Sequence, residues 1–134
     1  MAKYGIDTIV PGPIDQVKEQ MVAALQEQGF GVLTEIDVKQ TLKRKLGLDF
    51  RPYYILGACN PPLAHRVLEA DPSIGLLLPC NIVLQSEGEN VRVSILDPEV
   101  MFAVVDPETQ AKLTGLPEEV KSRLQAALSA LAEN

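Results

Sequence analysis

Residues 73–97 read SIGLLLPCNIVLQSEGENVRVSILD, and the folding of this stretch decides the fold class. Val91, Val93 and Ile95 alternate with Arg92 and Ser94, the period of two that marks a strand with one buried face. A second apolar run stops just before Gly88, and glycine enters the positive-φ corner of a tight hairpin without steric cost. The pattern predicts two antiparallel strands joined at Gly88, the first of them spanning 73–87. Pro79 removes a ladder donor within that first run, so a bulge or a sheet edge is expected there.

Working upstream, RPYYILGAC at 51–59 reads as another strand, with Pro52 at its entry and Gly57 near its end. Asn60 is a favoured N-cap and Pro61 suits the first helical position, so PPLAHRVLEA at 61–70 becomes a short helix with Leu63, Ala64, Val67 and Leu68 facing the core. Asp71-Pro72 reads as a turn. Asp37 caps a helix that runs to about Leu46 and is closed by Gly47. FGVLTEIDV at 30–38 is a strand expected to return beside the first one, KYGIDTIV at 3–10. Between these two, Ile14, Val17, Met21 and Leu25 fall at helical spacing, with Asp15 in the first turn and Gly29 as the stop.

Downstream, Asp97-Pro98 and Asp106-Pro107 each pair a cap with a first helical residue. PEEVKSRLQAALSALAEN at 117–134 carries one apolar stripe of Val120, Leu124, Ala127 and Leu131, while Glu118 and Glu119 complement the helix dipole. That is a docked amphipathic helix in preference to one that binds a partner. Early strands and helices alternate, but a hairpin follows and helices end the chain. The fold class is therefore α+β: a mixed, mainly antiparallel sheet of about five strands with helices on one face.

With 134 residues, 46% of them hydrophobic, the chain is the size of one domain, 1–134, and buries about two-thirds of the surface of its unfolded form. The start reaches Asp7 and Pro11 without an apolar run, and no stretch approaches the roughly 18 apolar residues of a membrane span. A cytoplasmic location is expected, where thiols stay reduced. The net charge of −6 repels phosphate backbones and anionic lipid, which argues against nucleic-acid or membrane partners. Lys39, Lys43, Arg44, Lys45 and Arg51 give a local +4 against the single Asp49; they fan around a helix and read as a solvated face in preference to an anion site.

The chemistry-bearing residues cluster in ILGACNPPLAH at 55–65, which holds Cys59 and the only histidine, His65, and in LLLPCN, which repeats a Cys-Asn pair at Cys80 and Asn81. Phosphate loops, nucleophile elbows and zinc-protease pairs are missing from the sequence. Cys59 stands at the opening of a helix, where amides and the dipole favour a thiolate; it also continues the Tyr53, Ile55, Gly57 strand face, and packing is the commoner role of a free cysteine. Cys80 shares a face with Leu78, Ile82 and Leu84. If neighbouring strands brought the thiols together, a reversible disulfide would add about 3 kcal/mol. Cys59, His65 and Cys80 form a weak metal candidate for zinc or copper(I), because His65 lies about 130° from the centre of its helix's apolar stripe.

From Gly29 to Phe102, GFGVLTEIDV, LGACNPPLAH, GLLLPCN and DPEVMF follow one another in an order that resembles the prokaryotic family called domain of unknown function 302. The resemblance implies a small α+β domain similar in layout to TATA-binding-protein-like folds, often a homodimer, and it implies no catalytic residues.

Three functions are compatible with these residues. The foremost is a non-enzymatic homodimer that binds a small ligand or thiophilic metal near Cys59, Asn60, Cys80 and Asn81. The second is a thiol redox switch or enzyme using Cys59 and Cys80. The third is a structural or interaction module with an exposed apolar patch at VMFAVV, 100–105.

Overall fold

The computed structural model describes residues 3–133. Five strands, β1 (Gly5–Pro11), β2 (Gly31–Asp37), β3 (Tyr53–Cys59), β4 (Cys80–Glu87) and β5 (Asn90–Leu96), form one sheet in the order β1-β5-β4-β3-β2. The hairpin is present, with Gly88 at φ 62° and Glu87 opposite Asn90. Every neighbouring pair is antiparallel, so the sheet contains none of the parallel pairing that a mixed sheet implies.

Six helices complete the described chain: α1 (Ile14–Glu27), α2 (Val38–Leu46), α3 (Pro61–Ala70), α4 (Pro98–Phe102), α5 (Pro107–Lys112) and α6 (Leu116–Ala132). Side-chain oxygens cap four of them: Asp37 accepts from the Gln40 N–H at 2.9 Å, Asn60 from Leu63 at 3.3 Å, Asp97 from Glu99 at 2.9 Å and Asp106 from Thr109 at 3.0 Å. Each satisfies an orphan donor that sequence spacing had placed at a helix start.

Two expectations fail. β2 does not lie beside β1; it pairs with β3, and the two strands occupy opposite edges of the sheet. The intervening α1 has 14 residues, roughly 21 Å at the usual rise, which exceeds the roughly 19 Å between the outer strands of a five-stranded sheet. The helix thus carries the chain under the whole sheet and leaves β5 free to pair with β1. Nor does the first hairpin strand begin at residue 73: Pro72–Leu77 forms a 3-10 turn, capped by Asp71, and β4 starts only at Cys80. Pro79 therefore precedes an interior strand, and the bulge lies on β2, where the register slips between Val32 and Thr34.

The helix-covered face of the sheet holds Leu56, Ile82, Leu84, Val93 and Ile95, all fully buried. Against them pack Met21 and Leu25 of α1 and Leu124 and Leu131 of α6, within one continuous core. Burial of each such side chain contributes roughly 1.5–3 kcal/mol. The opposite face carries Ile36, Ile55, Val83, Ser94 and Asp7, aligned strand to strand.

Candidate functional site

Where β3 runs out and β4 begins, the core opens into a pocket of about 380 Å³. The β3–α3 turn supplies Cys59 and Asn60, and α3 supplies Leu63, Ala64, Val67 and Leu68. Pro79 and Cys80 enter from the start of β4, Phe30, Leu33 and Thr34 from the start of β2, and Met101, Phe102 and Val120 from α4 and α6. The wall is almost wholly hydrocarbon, interrupted by two thiols, the Thr34 hydroxyl and the Asn60 amide.

Local backbone chemistry builds this opening. Asn60 is only 5% exposed and spends its carbonyl oxygen on the α3 cap. Its amide nitrogen stands 2.9 Å from the point where a Cβ on Gly29 would sit, and Gly29 has φ 85°. Both the left-handed backbone and the close approach require glycine there. On this basis Gly29→Ala is expected to cost about 1–2 kcal/mol, measured by urea denaturation; an unchanged midpoint would show that Asn60 moves aside freely.

Both cysteines are free, half-buried and in the pocket wall. Cys80 is the register partner of Ala58, so Cys59 lies one residue further along the neighbouring strand. Burial pushes the Cys80 thiol above its ordinary value, and the nearby Cys59 adds to the shift. Cys80 is therefore a neutral thiol at physiological pH, a packing and soft-contact group and not a ready nucleophile.

A raised thiol value also fixes the sign of a pH effect. Below the unfolded value, about 8.5, both states hold the proton and stability is undiminished; above it the unfolded chain ionises first and stability falls until the folded value is passed. Tyr54 acts in the same sense above pH ~10, since burial and its 2.9 Å hydrogen bond to Asp15 push its hydroxyl to about 12. Unfolding free energy should decline from pH 8 to pH 11, and Cys80→Ala should flatten the first part of the profile. A profile identical for the two proteins would deny Cys80 this role.

The other sequence candidates lie elsewhere. His65 points outward, its side chain 75% exposed, with Nε2 3.4 Å from the Glu69 carboxylate. It does not line the pocket, and among the described residues no group of three or more His, Cys, Asp or Glu side chains is gathered to hold a metal. Asn81 follows Cys80 by one residue, so strand alternation turns it to the opposite face of the sheet, beside Val83 and Ser94. The stretch 100–105 is no continuous patch, because Met101, Phe102 and Val105 are buried and only Val100, Ala103 and Val104 are exposed. In α2 no residue is buried, and Lys43 reaches Asp49 at 3.1 Å.

Residues 6–131 match the family described as Domain of unknown function DUF302. A crystal structure of the uncharacterized conserved protein DUF302 from Bacillus stearothermophilus aligns with a TM-score of 0.84 at 30% sequence identity, covering 96% of this chain and 98% of that one. None of the curated proteins matches. The chain belongs to the DUF302 family, and no helix among its described residues is long and apolar enough to cross a membrane.

Proposed function

We propose that this DUF302 domain is a non-catalytic homodimer that binds a small, mainly apolar molecule in the pocket between β3, β4 and α3. The observation that carries this reading is the pocket itself, about 380 Å³ bounded by hydrocarbon, within the range that encloses small organic ligands. Cys59, Cys80, Asn60 and Thr34 are the few groups able to orient such a molecule: the thiols offer soft polarizable contact, and the Asn60 amide and Thr34 hydroxyl offer donors. Apolar burial supplies the affinity, at roughly 25 cal/mol per Å².

A thiophilic metal is less well supported at the same place. Zinc takes four ligands, and the pocket brings two thiols without His65. Copper(I) accepts two thiolates, yet it would first have to displace the proton that burial holds on Cys80. The thiol-switch reading is favoured by one observation, the position of both free cysteines on adjacent strands in one wall.

The direct test is titration of the whole protein with an uncharged fluorescent naphthylamine. The wild type should enhance its emission with saturable, near-stoichiometric binding. Ala64→Trp fills the pocket from α3, where Ala64 is half-buried, and should weaken binding at least ~10-fold. Cys59→Ala with Cys80→Ala should change affinity only a few-fold. Equal binding by wild type and Ala64→Trp would remove the pocket as the site, and a 10-fold loss on removing the thiols would favour thiol chemistry instead.

A further inference from the structure

We infer that the sheet face left bare by the helices is the surface on which a second copy of this chain docks, with the two-fold axis running along the strands; this rests on the homodimeric part of the reading above. α1 and α6 pack against the inner face. On the outer face Ile36, Ile55 and Val83 stand side by side across β2, β3 and β4, with Ile36 48% exposed. An apolar row in the middle of a sheet face is unusual on a surface meant for water.

The row continues past the sheet edge. Tyr53 meets Phe50 with the rings tilted by 58° and their centroids 5.9 Å apart, and Leu46 and Leu48 beyond it are more than half exposed. The face itself measures roughly 24 Å by 24 Å, from five strands about 4.8 Å apart and seven residues long at about 3.4 Å each. With the 38–51 segment added, this approaches the roughly 800 Å² per partner that stable complexes bury.

Charge selects a second copy as the occupant. The 39–51 segment carries +4 on a chain of −6, which leaves −10 on the remainder. It follows β2 at one edge of the sheet. Glu87 and Glu89 lie at the same end of the strands but towards the other edge, at the β4–β5 turn; Glu87 already holds Arg92, which also pairs with Asp7, so these four side chains keep two negative charges in excess. A two-fold along the strands exchanges the edges and keeps the ends together. It therefore lays the basic segment of one copy over the partner's Glu87 and the partner's Glu89, while Ile55 and Val83 meet their counterparts near the axis. An isologous interface needs this self-complementarity, and the arrangement leaves the pocket, at the opposite end of the strands, uncovered.

Sedimentation velocity of the full chain tests the assignment. Wild type should be a dimer whose dissociation constant rises with salt, as opposed charges are screened. Ile36→Glu places two charges in the interface and should raise that constant at least ~100-fold; because Ile36 is half-exposed, the monomer should stay folded and bind the naphthylamine normally. Lys45→Glu, at an exposed position, should weaken the dimer several-fold and reduce its salt dependence. A dimer indifferent to both substitutions overturns this interface and leaves the homodimer standing. A wild-type monomer at tens of micromolar overturns both, whereas loss of probe binding alone bears only on the pocket.

Discussion

Gly57→Val is expected to lower the unfolding free energy by about 3 kcal/mol or more, the largest effect of any single added side chain in β3. Gly57 is buried in an interior strand, between Thr34 of β2 and Asn81 of β4. A Cβ there would collide with the Thr34 hydroxyl and come within 2.6 Å of Pro79 Cγ. The Thr34 hydroxyl can turn aside, but the proline ring has no rotamer to escape into. Relief must therefore come from the backbone, by parting β2 from β3 or displacing the turn before β4. Since Thr34 and Pro79 both line the pocket, naphthylamine affinity should fall together with the urea midpoint. Gly31→Ala is the control: Gly31 belongs to the same strand pair, and a Cβ there meets nothing within 4 Å. Its midpoint should barely move. A Gly57→Val protein within 0.5 kcal/mol of wild type would show that the three strands yield at this point.

The contrast between Gly57 and its neighbours shows what local pattern encodes. Asn60, Asp37, Asp97 and Asp106 were legible as caps because a cap is a contact between residues two or three apart. The β4–β5 hairpin was legible for the same reason. The position of β2 was not: nothing local to residues 30–37 distinguishes pairing with β1 from pairing with β3, and the outcome depends on the reach of α1 and on β5 claiming the edge of β1. The 3-10 turn at Pro72–Leu77 was hidden by composition, since Ile74, Leu76 and Leu77 look like strand residues although Leu76 is 90% exposed.

The candidate site divides in the same way. Cys59, Asn60 and Cys80 stand out in the sequence, and the structure places all three in one wall. His65 was readable as outward-facing from its helical angle. Adjacency groups Asn81 with Cys80, which strand alternation contradicts. Phe30, Met101, Phe102 and Val120 could not have been assigned to the pocket, because each reads as ordinary core and only tertiary packing brings it to the same opening.

Leu124→Ala is expected to cost about 3–4 kcal/mol, within the range for a fully enclosed leucine whose cavity cannot collapse. Leu124 has no exposed surface and belongs to the core that α6 shares with α1, α4 and β1. Val120, one turn earlier on the same stripe, is 8% exposed and borders the pocket instead. The two truncations therefore separate stability from binding. Leu124→Ala should shift the urea midpoint strongly with an unchanged slope and leave naphthylamine affinity within two-fold, measured well below the unfolding transition. Val120→Ala should cost about 1–2 kcal/mol, since it removes fewer buried methyl groups beside an existing opening, yet enlarge the pocket and change probe affinity more. If Leu124→Ala cost under 1 kcal/mol, α6 would not be docked through this face, and a helix free to bind a partner would fit the result better. If it abolished probe binding while the protein stayed folded, the pocket would depend on the seating of α6 as a whole and not on the residues in its wall.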